Sequence, residues 1–172
     1  VKSCVGKEFC RFGTQYTTRL GIRLEKTFEY IDTPHKFKMG VSGCPRSCVE
    51  SGVKDFGVIG VENGFQIYIG GNGGTEVAKG QHLTTVETED EVIRLCGAVM
   101  QYYRETGIYA ERTAPWLNRL GLDHVKEVVL DPEKQQELFE RIMEAKEAVA
   151  QEPWSDIVAD ERKQKIFEVE RV

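Results

Sequence analysis

The sequence has 172 residues, of which 40% are hydrophobic, and a formal net charge of −5 at pH 7. A chain of this length can bury one sizeable core, and it contains no run of the roughly 18 apolar residues that a membrane helix needs. The N-terminal VKSCVGKEFC lacks the apolar run of a secretory signal, so we expect a cytoplasmic protein without membrane association. A first residue Val1, three positions before a cysteine, suggests a fragment of a longer chain.

Charge is unevenly distributed along the sequence. Residues 1–60 carry ten Lys and Arg against six Asp and Glu, whereas residues 61–172 carry thirteen against twenty-two. The basic part has no Arg-rich stripe interleaved with aromatic residues, so it does not indicate a nucleic-acid surface. A small, highly anionic ligand is the partner that we expect for it.

The first 84 residues predict one helix and several short strands. Apolar residues at three- and four-residue steps from Tyr16 to Ile31 indicate an amphipathic helix. The alternation in KFKMGV predicts a strand that leads to Cys44, and PRSCVESGVKD could form a short helix. FGVIGVENGFQIYIGG predicts a hairpin with its turn at Asn63-Gly64, and the GGNGG that follows predicts a loop or a close approach of the backbone to a ligand.

From Thr85 onward the pattern is helical. VETEDEVIRLCGAVMQYYRETG places apolar residues on one face, with acidic residues early and Arg104 late. Two further helices are predicted in ERTAPWLNRLG and in DPEKQQELFERIMEAKEAVAQ, the second with Asp131 as its cap and Pro132 in its first turn.

These elements predict an α+β fold with a small, mostly antiparallel sheet, flanking helices and a helical C-terminal region. The predicted organisation is a cysteine-bearing module at residues 1–84, a helical region at 85–152 and a polar, peripheral tail at 153–172.

Four of the five cysteines fall into two tight pairs, Cys4-x5-Cys10 and Cys44-x3-Cys48. Such pairs suit metal ligation in a reducing compartment better than a disulfide framework. Four thiolates supply one ligand for each iron of a 4Fe-4S cluster, and the flanking glycines allow turns whose amides can point at sulfur. A structural zinc site and four incidental cysteines remain as alternatives, although the spacing is not that of paired zinc knuckles. Cys96 is most simply a small hydrophobic core residue.

The second cysteine pair lies within a longer pattern. The run SGCPRSCVESGVKDFGV, residues 42–58, resembles the signature of sirohaem-containing nitrite and sulfite reductases, and it meets every position of that signature. CVGKEFC resembles the other cysteine element of this family, at about the expected distance upstream. RFGTQ, YIGGNGG and YYRETGIYAERTAPWLNRLG extend the resemblance over roughly residues 1–130, to the C-terminal part of the large subunit of NAD(P)H-dependent assimilatory nitrite reductases.

The resemblance implies two coupled cofactors. Cys4, Cys10, Cys44 and Cys48 would hold a 4Fe-4S cluster, and Cys48 would also be the axial ligand of a sirohaem iron. The implied reaction is the six-electron reduction of nitrite to ammonium, with nitrite in the opposite axial position of the haem.

The resemblance also implies parts that lie outside this chain. The flavin and nicotinamide domains of the family precede this region, so FAD and NAD(P)H are expected only there. The expected partners are these upstream domains and a small subunit, and a homodimer is allowed. Because the family builds its site between two related half-modules, the isolated fragment is expected to be inactive.

Cationic side chains are expected around such a site, because the reaction consumes protons and the haem carries many carboxylates. Lys36 and Lys38 are the catalytic candidates, although they could equally form the solvated face of a strand. Arg46 and Arg11 are candidates for binding the haem carboxylates. Asn72, within GGNGG, is either a further cofactor contact or part of a simple turn.

Three other functions fit the same residues. An assimilatory sulfite reductase would differ only in its substrate. A non-catalytic electron-transfer module would carry the cluster without the haem, and a structural module would bind zinc instead.

Overall fold

The computed structural model describes residues 1–149 and 153–165. The strands are β1 (Lys2–Ser3), β2 (Met39–Ser42), β3 (Phe56–Val61), β4 (Gly64–Ile69), β5 (Asn72–Gly73), β6 (Val77–Ala78) and β7 (Gln81–Val86). The helices are α1 (Gly6–Phe9), α2 (Thr18–Phe28), α3 (Glu89–Thr106), α4 (Thr113–Leu120), α5 (Leu122–Val129), α6 (Pro132–Val149), α7 (Pro153–Ala159) and α8 (Glu161–Gln164). This is the predicted α+β architecture, and none of the helices in the described ranges is long and apolar enough to cross a membrane.

Five strands form one mixed sheet in the order β1-β2-β3-β4-β7. β1, β2 and β3 run parallel to one another, whereas β3, β4 and β7 form the longer, antiparallel ladders. β5 and β6 make a separate antiparallel ribbon. Most paired residues are therefore antiparallel, as the sequence predicts, but the edge of the sheet that carries the N-terminus is parallel.

One continuous hydrophobic core joins the sheet to the helices. Its fully buried members include Leu24 of α2, Val58 of β3, Cys96 of α3 and Ile142 of α6, and the burial of Cys96 confirms its assignment as a core residue. The boundary predicted at residue 84 falls within β7, and side chains from both sides of it share this core. The predicted tail includes residues 166–172, which lie outside the described ranges, and the exposed helices α7 and α8.

Local signals in the sequence produce several of these elements. A capping box starts α3, in which Thr88 Oγ1 accepts from the Glu91 amide at 3.2 Å and the Glu91 carboxylate accepts from the Thr88 amide at 2.8 Å. Asp131 caps α6 by accepting from the Lys134 amide at 3.0 Å. The predicted hairpin of β3 and β4 is also present, with Gly64 at a φ of +137°.

Other elements differ from the sequence-based expectation. The first amphipathic helix begins only at Thr18, because residues 14 and 15 turn back to hydrogen-bond the carbonyl of Gly43. The segment predicted as a short helix after Cys44 forms a single 3-10 turn, Ser51–Val53. Asn72–Gly73, predicted as loop, pairs with β6. The sequence pattern did not predict β1, β7 or α5.

Asp55 joins three segments at the start of β3. Its buried carboxylate accepts hydrogen bonds from Arg112 Nη2 at 2.8 and 3.0 Å and from the Thr113 hydroxyl. It also accepts from the backbone amide of Lys38 at 2.8 Å. A buried carboxylate with this many donors fixes α4 against the beginnings of β2 and β3.

Replacement of Asp55 by Ala should lower the free energy of unfolding by about 3–5 kcal/mol, because it leaves the mostly buried Arg112 guanidinium without its counter-charge. Urea denaturation of the 172-residue chain measures the change. The matched control is Asp90→Ala, which removes an exposed carboxylate paired with Arg23 and should cost far less. Equal losses in the two variants would contradict this account of Asp55.

Candidate metal centre

The two cysteine pairs meet at one edge of the sheet. Because β1 and β2 are parallel, with Ser3 opposite Val41, the residues that follow them leave the sheet at the same edge. Cys4 follows β1 directly, and its amide continues the ladder by donating to the Val41 carbonyl at 3.0 Å. Cys44 follows β2 after a single glycine. The loops that carry Cys4 and Cys44 are therefore neighbours, although 40 residues separate the two cysteines in the sequence.

The sulfur of Cys4 lies in a pocket of hydrogen-bond donors. The Gly43 amide donates to Cys4 Sγ at 3.1 Å and the Gly6 amide donates at 3.4 Å. The hydroxyl of Thr17 lies 3.6 Å from the same sulfur. Amides that point at sulfur are typical of the surroundings of metal-bound cysteines.

Backbone contacts hold the first cysteine pair against the second. The carbonyl of Gly43 accepts hydrogen bonds from the Thr14 amide at 2.7 Å and from the Gln15 amide at 3.1 Å. Within the first loop, the Cys10 amide donates to the Gly6 carbonyl at 2.9 Å. A side chain at Gly43 would place its Cβ 2.8 Å from the Gly6 Cα, so this approach requires glycine.

The loop that carries Cys44 and Cys48 has a strained backbone. Cys44 is buried and Cys48 is exposed. Two non-glycine residues of this loop adopt the left-handed conformation, Ser47 at a φ of 50° and Glu50 at 59°. Glu50 is held by an ion pair with Lys54 at 3.1 Å. Strain of this kind persists where surrounding contacts fix it, and it clusters at functional sites.

Four cysteines on two connected loops match in number the thiolates that a 4Fe-4S cluster needs. Across the part of the chain that the structure describes, no three His, Cys, Asp or Glu side chains converge as ligands of a single metal ion. A cubane cluster takes one thiolate at each of its irons, so its ligands surround a volume instead of one point. Cys4, Cys10, Cys44 and Cys48 match the cluster in donor chemistry and number, and backbone contacts connect the two loops that carry them.

Two arginines lie beside the cysteines and share one aromatic ring. The guanidinium carbon of Arg46 lies 4.0 Å from the centroid of Phe12, and that of Arg11 lies 4.6 Å from it. Neither arginine has a carboxylate partner among the described residues. Two exposed cations without a carboxylate partner give this side of the two cysteine-bearing loops a local positive charge.

Lys36, Lys38 and Asn72 lie at the opposite end of the sheet from the cysteines. Both lysines are exposed and precede β2, whereas Cys44 follows it. Asn72 follows β4, whose last residue pairs with the first residue of β3, and its side-chain amide donates to the Glu76 carbonyl at 3.0 Å. The structure therefore does not bring these three residues together with the four cysteines.

Sequence reasoning missed Phe12 and Thr17 at this site. Phe12 lies within the RFGTQ of the resemblance, but no role was predicted for it, because an isolated aromatic residue between a cysteine and a glycine fits many contexts. Thr17 lies immediately before α2, where a threonine ordinarily indicates a helix cap.

Comparison with known proteins identifies the family to which this chain belongs. The nitrite and sulphite reductase 4Fe-4S domain matches residues 1–137, and the chain belongs to this family. The chain is 54% identical over 169 residues to the NAD(P)H nitrite reductase of Bacillus subtilis, covering 98% of this chain and 21% of that protein.

The chain is also similar to a sulfite reductase and to a protein of known structure. The chain is 32% identical over 130 residues to an assimilatory-type sulfite reductase of Nitratidesulfovibrio vulgaris, covering 76% of this chain and 60% of that protein. Among solved structures, the NirA protein of Mycobacterium tuberculosis matches with a TM-score of 0.59 and 27% identity, over 72% of this chain and 26% of that one. The chain spans about a fifth of the length of the Bacillus relative.

The cysteines should differ sharply in reactivity in the metal-free chain. Burial raises the pKa of the Cys96 thiol well above its usual value, and thiols react as thiolates. Iodoacetamide should therefore modify the exposed Cys48 first and should leave Cys96 unmodified until urea unfolds the chain. Mass spectrometry of peptides after timed labelling measures both rates, and similar rates for the two residues under native conditions would contradict the described burial.

Proposed function

We propose that this chain supplies the four thiolate ligands of a 4Fe-4S cluster in a sirohaem-dependent nitrite reductase, which reduces nitrite to ammonium with six electrons. The observation that supports it best is the meeting of the two cysteine pairs at one sheet edge, where Cys4 Sγ lies 3.1 Å from the amide that precedes Cys44. The family to which the chain belongs supports an iron-sulfur cofactor. The high identity to a nitrite reductase supports the substrate.

The different exposures of Cys44 and Cys48 support distinct roles for their sulfurs. Cys44 is buried against the sheet and would serve the cluster alone. Cys48 is exposed, so its sulfur can face both the cluster and a second group outside the domain. Cys48 would then help to hold both the cluster and the sirohaem, which together would supply the electrons and the nitrite-binding metal of the proposed reaction.

Arg11 and Arg46 are the proposed contacts for the sirohaem carboxylates. They are exposed, lie next to ligand cysteines and are held at a common ring, so little side-chain freedom is lost when they bind an anion. Charge-assisted hydrogen bonds to carboxylates are among the stronger polar contacts in proteins. Lys36, Lys38 and Asn72 remain predictions, and their place at the far end of the sheet favours the arginines over them as cofactor contacts.

The remaining parts of the proposed enzyme lie outside this chain. We propose that FAD and NAD(P)H bind upstream domains of the same polypeptide, that a small subunit or a second copy can join the assembly, and that the enzyme is cytoplasmic. The large remainder of the Bacillus relative leaves room for such domains.

Sulfite is the alternative substrate. The identity to the assimilatory-type sulfite reductase is 32%, against 54% for the nitrite reductase, and this difference favours nitrite. Turnover of the intact enzyme with each anion at equal concentration decides the point. We expect the higher kcat/KM with nitrite, and a higher value with sulfite would reassign the substrate.

Loss of one cluster ligand should abolish the binding of both the cluster and the sirohaem. Cys44→Ala in the intact polypeptide should remove acid-labile sulfide, sirohaem absorption and nitrite reduction, because a cubane cluster needs all four thiolates and the haem shares one of them. Iron and sulfide analysis with an optical spectrum, after anaerobic purification, measures the loss.

The matched control for this variant is Cys96→Ala, which removes a buried thiol from the core and should retain both cofactors. Wild-type protein that contained iron and sulfide but showed no sirohaem bands would instead indicate a non-catalytic electron-transfer module. Wild-type protein that contained zinc but no iron or sulfide would instead indicate a structural zinc-binding module.

Arg46→Ala should lower the sirohaem content by weakening its binding, since a hydrogen bond to a charged group contributes about 1.5–3 kcal/mol. The ratio of sirohaem to cluster iron in the purified intact enzyme measures the effect. Arg141→Ala is the matched control, because Arg141 lies on α6 and pairs with Glu105 at 2.8 Å. An unchanged ratio in Arg46→Ala and in the double variant with Arg11→Ala would exclude these arginines as haem contacts.

A further inference from the structure

Two buried serines close the loop that carries Cys44 and Cys48. Ser42 is the last residue of β2 and Ser51 is the first residue of the 3-10 turn, and neither is more than 1% exposed. Their hydroxyl oxygens lie 2.8 Å apart, which is hydrogen-bonding distance. The bond therefore joins the residue two positions before Cys44 to the residue three positions after Cys48.

The sheet holds the segments on both sides of this bond. Ser42 belongs to the ladder between β2 and β3. The backbone of Ser51 lies so close to β3 that a Cβ on Gly57 would overlap the Ser51 carbonyl oxygen. Just beyond Ser51, the Gly52 carbonyl accepts a hydrogen bond from the Gly80 amide at 2.8 Å. The hydroxyl bond thus connects two ordered segments at the points where the loop begins and ends.

The loop between the two serines has a strained backbone. Ser47 and Glu50 adopt the left-handed conformation, which is unfavourable for residues with a Cβ. The Ser47 amide donates to the Cys44 carbonyl at 3.1 Å, and the Glu50 amide donates to the Ser47 carbonyl at 2.8 Å. Strain of this kind persists only where the surroundings fix the chain. A bond across the ends of the loop is such a constraint, because the strain would relax if the ends could separate.

Stability alone does not require a pair of serines at this place. When both partners of a buried hydrogen bond are replaced by apolar groups of similar shape, the stability of the fold changes little. A buried hydroxyl pair differs from an apolar pair because it is satisfied only when its two oxygens face each other, and satisfied polar groups in a core specify one arrangement. Here the arrangement that they specify is that of the loop presenting two cysteines.

We infer that Ser42 and Ser51 are positioning residues that hold Cys44 and Cys48 in the arrangement that binds the cluster. This inference rests on the proposed 4Fe-4S cluster. The serines act through the backbone of the loop, and no covalent bond to either of them forms or breaks.

The test compares Ser42→Ala, Ser51→Ala and the double variant in the intact, cluster-loaded enzyme. The double variant is decisive, because it removes the bond without leaving a buried hydroxyl unpaired and should keep the stability of the sheet. Its iron should pass to a chelator, under anaerobic conditions, about five- to tenfold faster than that of wild type, as expected for the loss of one hydrogen bond. The electron paramagnetic resonance spectrum of the dithionite-reduced cluster should also change, since two of its ligands would be held less firmly.

Hydrogen exchange followed by mass spectrometry separates positioning from stability. In the double variant, the amides of residues 43–50 should exchange faster than in wild type, whereas those of β3 should exchange at the same rate. The matched control is Thr106→Val, which removes a hydroxyl at the end of α3 that accepts from Trp116 Nε1 at 2.9 Å. This control should leave iron release, the spectrum and exchange in residues 43–50 unchanged.

Each outcome of these experiments has one meaning. Iron release and exchange like those of wild type in the double variant would overturn the inference, as would the same changes in Thr106→Val. Faster exchange in β3 as well as in the loop, or loss of the cluster together with the fold, would show that the serines serve stability and would also overturn it. Loss of the cluster while β3 stays protected would support it.

Failure of the proposed function is recognised separately, in wild type. Wild-type enzyme without iron and sulfide would overturn the proposed cluster and this inference with it. Wild-type enzyme with the cluster, combined with an unaffected double variant, would overturn the role of the serines alone.

Discussion

The parallel pairing of β1 with β2 is the constraint on which the site depends. Parallel neighbouring strands need crossover connections, and each of these connections begins at the same end of the strands. The crossover after β1 begins with Cys4 and the crossover after β2 begins with Gly43 and Cys44. The first pairing is only two residues long, and it is extended by the hydrogen bond from the Cys4 amide to Val41. The cysteine pairs are therefore aligned by the strand ladder itself.

The cysteines lie at one end of the parallel strands, and contacts that stabilise the fold lie at the other. At one end, loops with glycine approaches and a strained turn surround the cysteines. At the other end, the buried carboxylate of Asp55 binds Arg112, Thr113 and the amide of Lys38. The signature pattern in the sequence includes both Cys44 and Asp55, although they lie at opposite ends of the sheet. One belongs to the cysteine site and the other fixes the strands that present it.

This separation explains what could be predicted from the sequence and what could not. The hairpin, the capping box of α3 and the Asp131 cap depend on residues within a few positions, so local patterns predicted them. β1 is too short for a pattern. Lys38 is close in sequence to Cys44, but the length of β2 places it at the other end of the sheet, and strand direction is not visible in residue types. Thr17 lies within the segment predicted as an amphipathic helix, and its contact with Cys4 is set by tertiary packing, which residue types do not show.

The surface around the cysteines indicates how the proposed site is completed. Phe9, next to Cys10, is 84% exposed, and Phe12 and Cys48 are also open to solvent. Arg11 and Arg46 lie on the same side with no carboxylate among the described residues to balance them. A cluster with an anionic macrocycle would supply that missing negative charge, but a macrocycle has two faces. In the proposed enzyme, this chain would supply one wall of the cofactor site, and the proposed upstream region would supply the rest.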